Sequence, residues 1–129
     1  MSTSSTLSIR DPRRVREGLP VETYDEIKRV LNLSDQQAAG LVHVSLRTLG
    51  RRREEGRFQA DESDRVARLA RLVSLALETF EKDEGTVRIW FKSPHALLHG
   101  EAPLDHTDTE PGARAVEDLL NALRYGFAA

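Results

Sequence analysis

One stretch of the sequence, residues 61–80, constrains the fold more than any other. Its apolar residues recur at alternating spacings of three and four, which is the period of one face of an α-helix. This apolar stripe consists of Val66, Leu69, Val73, Ala76 and Phe80, and it is widened by Leu72 and Leu77. A helix of this length must bury its stripe against other elements, and the rest of the chain has no convincing strand pattern. The sequence therefore predicts an all-α protein built around a central helix.

Capping signals before this stretch predict two short helices. Thr23 and Glu26 form a T-x-x-E capping box, which predicts that the first helix begins at Thr23. Ser34 and Gln37 have the spacing of a second capping box. They predict a second helix, from Asp35 to Val42.

A third helix is expected after a tight turn. Ser45 is its candidate N-cap, and Gly56 is its expected stop. Ala39 is small enough for two helices to cross, His43 lies at the turn, and Val44 is the apolar residue that fixes it. These features together are typical of a helix-turn-helix.

A helix-turn-helix presents the exposed N-terminal half of its second helix to the major groove of DNA. We expect residues 21–60 to form this DNA-binding region, because five arginines between Arg47 and Arg57 are offset only by Glu54 and Glu55. The candidates for base edges are Arg47 and Thr48, and those for phosphate contacts are Ser45, Arg51, Arg52, Arg53 and, on the preceding helix, Gln36. The alternative is a structural helical hairpin with a solvated arginine face.

Two residues depart from the common helix-turn-helix pattern and bear on the strength of DNA binding. His43 occupies the turn position that is often glycine, although histidine adopts positive φ more readily than most residues. Asp35 stands where a phosphate-contacting glutamine is common, and its carboxylate would repel phosphate. Gln36, the next residue, is the expected substitute.

The flanking regions have different characters. Residues 1–20 combine serines and threonines with a basic cluster and two prolines, so we expect a flexible basic tail.

Residues 61–82 are expected to be a central linking helix, and residues 83–129 a separate C-terminal unit. Ser93 and Pro94 resemble an N-cap, and residues 101–112 resemble a loop. The last helix is expected from Ala113 to Tyr125, and its expected inward residues are Val116, Leu119, Leu120 and Leu123.

Composition excludes several classes of function. Cysteine is absent, so there is no disulfide, thiolate metal site or thiol nucleophile. His95 and His99 are spaced to share a helical face, but no cysteine or H-E-x-x-H motif supports a metal there. No serine–histidine–aspartate arrangement or glycine-rich phosphate loop is suggested. We therefore expect no enzyme activity, no cofactor and no metal.

Charge and hydropathy indicate where the chain acts. No run approaches the roughly 18 apolar residues of a membrane span, and the first residues lack the apolar stretch of a secretory signal. We therefore expect a cytoplasmic protein with no membrane partner. Residues 1–60 hold 11 Lys and Arg against 8 Asp and Glu, whereas residues 61–129 hold 8 against 13. The two halves are expected to meet different partners.

From residue 89 onwards the sequence reads IWFKSPHALLHGEAPLDHTDTEPGARAVEDLLNALRYGFAA. This segment resembles the toxin-binding domain of the Xre/MbcA/ParS antitoxin family. The positions that carry the resemblance are Trp90, Phe91, Pro94, Leu97 or Leu98, Gly100, Pro103, Leu104, Gly112, Val116, Leu119, Leu123 and Gly126. His95 replaces the asparagine that usually follows the proline. Residues 56–80 also resemble the family's linking helix, so the likeness covers about residues 21–129.

The resemblance implies a type II antitoxin that binds a toxin with a RES domain, which uses NAD as substrate. Such an antitoxin blocks access to the toxin's site with its C-terminal end. Many members also bind their own operator, usually as homodimers, and so repress their own transcription. The residues expected to bind the toxin are Trp90, Pro94, Arg124, Tyr125, Gly126, Phe127, Ala128 and Ala129.

The last residues have a composition that suits this mechanism. Gly126 stops the helix, Phe127 is an aromatic anchor, and Ala128 and Ala129 are small enough for a narrow pocket. The carboxylate of Ala129 would then occupy the subsite for the NAD pyrophosphate. The alternative is that Phe127 folds back on the core and the last two residues fray. For the whole chain, the alternative is a plain helix-turn-helix transcription regulator whose C-terminal unit dimerises or senses a ligand.

Overall fold

The computed structural model describes residues 7–126, and the regular structure in this range is helical. The α-helices that lie wholly within it are α1 (Pro12–Glu17), α2 (Val21–Leu31), α3 (Asp35–Leu41), α4 (Leu46–Glu55), α5 (Ala60–Thr79), α6 (Glu84–Lys92) and α7 (Glu110–Tyr125). Two 3₁₀ turns, Ala96–Leu98 and Pro103–His106, connect α6 to α7. None of the helices in the described range is both long and apolar enough to span a membrane.

The central helix α5 organises the core, as the periodic stripe predicts. Helices α1, α2, α6 and α7 all pack against it. Val66, Leu72, Val73 and Ala76 are fully buried. At its start, the backbone N–H of Gln59 donates to Glu62 Oε1 at 2.9 Å, which satisfies one of the free donors of the first turn. The predicted all-α fold around residues 61–80 is confirmed.

Of the three helix caps predicted before the central helix, two are present. Ser34 Oγ accepts from the N–H of Gln37 at 3.1 Å, and the Gln37 side chain accepts from the N–H of Ser34 at 2.9 Å. Ser45 Oγ accepts from the N–H of Thr48 at 3.1 Å. Helix α4 ends at Gly56, whose φ of 87° lies in the left-handed region that favours glycine.

The predicted start of the first helix at Thr23 is wrong, because α2 begins at Val21. The segment before it is held by backbone hydrogen bonds to the chain after α4. Phe58 N–H donates to Leu19 O at 2.9 Å, and Val21 N–H donates to Gly56 O at 3.1 Å. Thr23 lies inside the helix, fully buried, and its Oγ1 has no hydrogen-bond partner among the described residues.

The predicted flexible tail is wrong for residues 7–20, and residues 1–6 lie outside the described range. Leu7 and Leu19 are fully buried, and α1 packs along α5. Leu19 N–H also donates to Ser63 Oγ on α5 at 2.8 Å. The apolar residues here are too few to give a helical stripe, but they cover a face of α5 that the later helices leave open. We call residues 7–20 the N-terminal strap.

The C-terminal unit differs from the prediction at two turns. Ser93 is extended and ends α6 instead of starting a helix, and the next turn is capped by His95 Nδ1, which accepts from the N–H of Leu97 at 3.2 Å. Helix α7 begins at Glu110, three residues before the predicted start. Thr109 Oγ1 caps it by accepting from the N–H of Gly112 at 3.1 Å.

The burial of the C-terminal aromatic residues predicts which one holds this unit together. Phe91 is fully buried, whereas Trp90 is only partly buried, with ring centroids 5.1 Å from Phe91 and 5.9 Å from Phe80. Phe91→Ala should lower the free energy of unfolding by about 3–5 kcal/mol, the usual cost of emptying a buried aromatic site. Trp90→Ala should cost less. Urea denaturation of both variants tests this order, and a larger loss for Trp90→Ala would contradict it.

Candidate functional site

The helix-turn-helix is formed by α3 and α4 with a tight turn between them. His43 lies at the turn with a φ of 55°, the left-handed conformation expected at this position. Val44 N–H donates to Ala39 O at 3.0 Å and closes the turn. Ala38 and Ala39 are buried, so α3 packs closely against its neighbours. Arg65 Nε of α5 donates to Val42 O at 2.7 Å and anchors the end of α3 to the central helix.

One face of α4 is open to solvent and carries two unpaired cations. Arg47 and Arg51 are exposed and form no ion pair within the described residues. They stand four apart, on the same helical face. Ser45 is exposed at the helix start, and Thr48 is half-buried with its hydroxyl 3.0 Å from Ser45 Oγ. Gln36 is exposed at the start of α3.

Arg52 does not belong to this open face, and its predicted contact with phosphate is wrong. It is 5% exposed. Its Nε and Nη2 donate to the two carboxylate oxygens of Glu62 at 2.7 and 3.0 Å, and its Nη1 donates to Glu55 at 3.0 Å. Arg52 holds the pKa of the Glu62 carboxyl below its ordinary value. The signal that sequence reasoning missed is helical period, because Arg52 follows the buried Leu49 by three residues.

Arg53 is also engaged within the protein. It forms ion pairs of 3.0 Å with Asp25 and 3.2 Å with Asp35, and its guanidinium lies 5.7 Å from the centroid of the Tyr24 ring. Asp35 pairs in addition with Lys28 at 2.8 Å, and this hydrogen bond is the main cause of its lowered pKa. The negative charge of Asp35 is therefore compensated inside the protein, which removes much of its expected repulsion of phosphate.

The helix-turn-helix is joined to the C-terminal unit by contacts distant in sequence. His43 Nε2 donates to Asp108 O at 2.7 Å, and Arg88 Nε of α6 donates to Val30 O at 3.0 Å. Helix α6 packs along α2. Arg29 reinforces this packing through a bidentate ion pair with Glu84 at 2.9 Å. The two halves of the chain therefore meet in an extensive contact.

The C-terminal unit exposes apolar side chains that ordinary packing would bury. Ile89 is 68% exposed, Leu97 63% and Tyr125 71%. Leu123 was expected to point inward, but it is 40% exposed at the edge of the buried stripe of α7. Of these exposed residues, Leu97 lines an open, mainly apolar groove of about 300 Å³, together with Leu98, Ala115, Asp118, Leu119 and Ala122.

The end of α7 is where the predicted toxin-binding residues begin. Arg124 pairs with Glu78 of α5 at 2.6 Å, and its guanidinium lies 5.0 Å from the centroid of the exposed Tyr125 ring. Gly126 ends the helix with a φ of 91°. Pro94 is exposed in the turn after α6. The remaining predicted contacts, Phe127, Ala128 and Ala129, lie outside the described residues.

The histidine pair does not have the geometry that its spacing suggests. The turn between His95 and His99 is a single 3₁₀ turn, and His99 has a left-handed φ of 59°, so the two residues do not share a regular helical face. His95 Nδ1 is occupied by the hydrogen bond from Leu97. Within residues 7–126 no group of three or more His, Asp or Glu is placed to hold a metal ion.

Comparison with known proteins identifies both halves. The family models that match are the antitoxin Xre-like helix-turn-helix domain, over residues 12–71, and the antitoxin Xre/MbcA/ParS C-terminal toxin-binding domain, over residues 75–126. Antitoxin Xre of Photorhabdus laumondii is 32% identical over 88% of this chain and 77% of its own length. Antitoxin Xre of Yersinia enterocolitica is 31% identical over 87% of this chain and 76% of its own length. The chain belongs to the Xre family of antitoxins.

Membership confirms the resemblance drawn from the sequence and assigns a role to each half. The antitoxin has a DNA-binding helix-turn-helix domain and a toxin-binding domain, and neither belongs to an enzyme family. The match to the first domain begins at residue 12 and so includes α1, which our predicted region 21–60 left out. The two matches meet within α5, between residues 71 and 75. The central helix therefore serves both domains.

Proposed function

We propose that this antitoxin neutralises a RES-domain toxin that consumes NAD, by placing its C-terminal end in the toxin's active site. The observation that carries the proposal is the distribution of exposed apolar surface. Of the five large apolar side chains exposed within residues 7–126, four lie in the toxin-binding domain: Ile89, Leu97, Leu123 and Tyr125. We infer that the toxin covers part of this exposed apolar surface.

The chemistry of the last residues suits a ligand pocket. Tyr125 is available at the end of α7, and Phe127 is a second aromatic ring two residues on. Aromatic side chains are the commonest anchors of protein interfaces. Ala128 and Ala129 add little bulk. We infer that Trp90, Pro94 and Arg124 support this segment from the body of the domain.

Co-expression tests the toxin assignment. The antitoxin is produced together with the protein encoded by the neighbouring gene, and both growth and cellular NAD are measured. Restored growth with restored NAD supports the proposal. If the antitoxin binds its promoter but leaves NAD depleted, it acts instead as a plain transcription regulator.

We further propose that the antitoxin binds the operator of its own genes as a cytoplasmic homodimer and represses them. The open face of α4 supports this, since Arg47 and Arg51 are exposed there, form no ion pair within residues 7–126, and lie on the second helix of the helix-turn-helix, which in such motifs enters the major groove. Arg47 would read base edges, whereas Arg51, Ser45 and Gln36 would hold phosphates. Thr48, half-buried with its hydroxyl against Ser45 Oγ, would support the start of the helix. One such module covers only one half-site, which favours a dimer. Light scattering of the purified protein measures its oligomeric state directly.

Arg47→Ala and Arg51→Ala should each weaken operator binding and leave toxin neutralisation unchanged. Arg47→Ala should also relax sequence preference by about 1–3 kcal/mol at one base pair, and Arg51→Ala should reduce the slope of log affinity against log salt by about one. Fluorescence anisotropy with a promoter duplex at several salt concentrations measures both effects. Arg114→Ala is the matched control, because it removes an exposed arginine of α7. An equal loss in the control would mean that only net charge matters.

A further inference from the structure

The helix-turn-helix contains two exposed glycines, Gly40 on α3 and Gly50 on α4, whose conformation and surroundings within residues 7–126 do not require glycine. Gly50 lies in the middle of α4, is exposed, and has no positive φ. A Cβ added there would meet no atom within 4 Å. By contrast, a Cβ at Gly18 would collide with the carbonyl of Phe58, and one at Gly112 with the carbonyl of His106. Glycine inside a helix lowers stability relative to alanine. Packing within residues 7–126 therefore explains neither glycine, and of the two only Gly50 lies on α4, the helix whose exposed face carries Arg47 and Arg51.

The residue one turn before Gly50 is also unusual. Leu46 is the first residue of α4 and is 54% exposed. It is the one large exposed apolar side chain in residues 7–126 that lies outside the toxin-binding domain. Residues four apart share a helical face, so the apolar side chain of Leu46 lies next to Gly50, which has no side chain. Arg47 follows Leu46 and Arg51 follows Gly50, so the two arginines lie along the edge of this face.

We propose that Leu46 and Gly50 form the base-reading strip of α4, with Leu46 against a thymine methyl group and Gly50 at the closest approach of the helix backbone to the groove. The thymine methyl projects into the major groove and is read there by apolar contact. Without a Cβ at position 50, the helix can lie closer to the base edges, which shortens the reach required of Arg47 and Arg51. This inference rests on the proposed operator binding and adds the residues that determine its specificity.

The Gly50→Ala variant separates this role from a structural one. It should raise Tm by about 2–4 °C, because alanine is the better helix former, and at the same time lower affinity for the promoter duplex roughly tenfold, because the new methyl group over-packs the interface. Gly85→Ala on α6 is the matched control and should leave DNA affinity unchanged. A more stable Gly50→Ala protein with wild-type affinity would overturn the role of Gly50. A lower Tm would do so as well, by revealing an intrachain requirement.

The Leu46 contact is tested with a DNA duplex in which thymines are replaced one at a time by deoxyuridine, which lacks the methyl group. Wild-type protein should lose about fourfold in affinity at one position in each half-site, the value of one buried methyl group. Leu46→Ala should bind the thymine duplex more weakly and show no further loss at that position. If Leu46→Ala keeps the wild-type preference for thymine, the contact does not exist. If wild-type protein binds no promoter duplex, both this inference and the proposed operator binding are wrong.

Discussion

Arg52→Ala should lower the free energy of unfolding by about 3–5 kcal/mol, which is the usual result of removing one partner from a buried ion pair. The Arg52 and Glu62 side chains are only 6% and 9% exposed, and two hydrogen bonds join them. Without the arginine, the Glu62 carboxylate is left without its charge partner in a buried site. Because Glu62 also caps the start of α5, the loss should loosen the contact between α4 and the central helix.

Urea denaturation of two further variants shows whether the effect comes from the unpaired charge. Arg51→Ala removes a neighbouring exposed arginine and should change the free energy of unfolding by less than about 0.5 kcal/mol. Replacing both partners, as Arg52→Met with Glu62→Leu, should recover part of the stability, because no unpaired charge remains in the buried site, although the cap that Glu62 provides to α5 is lost. Equal losses for Arg51→Ala and Arg52→Ala would contradict the structural assignment.

The same pair makes stability depend on pH. Arg52 lowers the pKa of Glu62 in the folded protein below its ordinary value of 4.5. The pair's contribution is therefore fully present above that ordinary pKa and is lost as the pH falls through the lowered pKa of the folded state. The double variant should lack this part of the acid sensitivity. Its unfolding free energy, followed from pH 7 to pH 3, should fall less steeply than that of the wild type.

Local signals in the sequence were sufficient to predict most of the helices. The caps at Ser34 and Ser45 depend on hydrogen bonds to residues three positions away, so a short motif carries all the information needed. The stripe of α5 is equally local, since its period is visible in twenty residues. Thr23 had the same capping motif, but backbone bonds between residues 19–21 and 56–58 start the helix earlier. A tertiary contact therefore overrode a valid local signal.

Long-range contacts account for what the sequence did not reveal. The N-terminal strap has no helical stripe of its own, and its burial depends on the groove that α5 and its neighbours create. The partner of Arg52 is Glu62 in the next helix, so the arginine looked like its exposed neighbours Arg51 and Arg53. Trp90 and Leu123 lie at the edges of apolar stripes, where the pattern does not distinguish a packed residue from one left for a partner.

Deleting Tyr125 to Ala129 should abolish protection against the toxin while leaving the protein folded and able to bind DNA. The packing of α7 ends before the deletion, because its buried residues are Gly112, Ala113, Val116, Leu119 and Leu120. The ion pair between Arg124 and Glu78 is also retained. Tyr125 is 71% exposed, so removing it takes little from the core. The midpoint of thermal unfolding should therefore change by no more than a few degrees.

Two point variants show which part of the deleted segment matters. Phe127→Ala should reduce protection most, by an affinity loss of about 2 kcal/mol or more, as expected for an aromatic anchor at the centre of an interface. Tyr125→Ala should have a smaller effect, since a ring at the end of α7 lies nearer the rim of the contact. Growth of toxin-expressing cells is scored at matched soluble levels of each antitoxin variant, and promoter binding is measured on the same purified proteins.

The apolar groove lined by Leu97, Leu119 and Ala122 offers a counter-test, because its lining residues belong to the body of the toxin-binding domain and not to the deleted segment. Leu97→Asp places a charge beside Ala122 and Leu119 and leaves the sequence of residues 125–129 unchanged. If insertion of the C-terminal end provides neutralisation, the deletion should abolish protection and Leu97→Asp should weaken it only in part. Full protection by the truncated protein, together with its loss in Leu97→Asp, would transfer neutralisation to the groove. The toxin would then be inhibited by a protein lying across its surface, and its NAD site would remain open to small ligands.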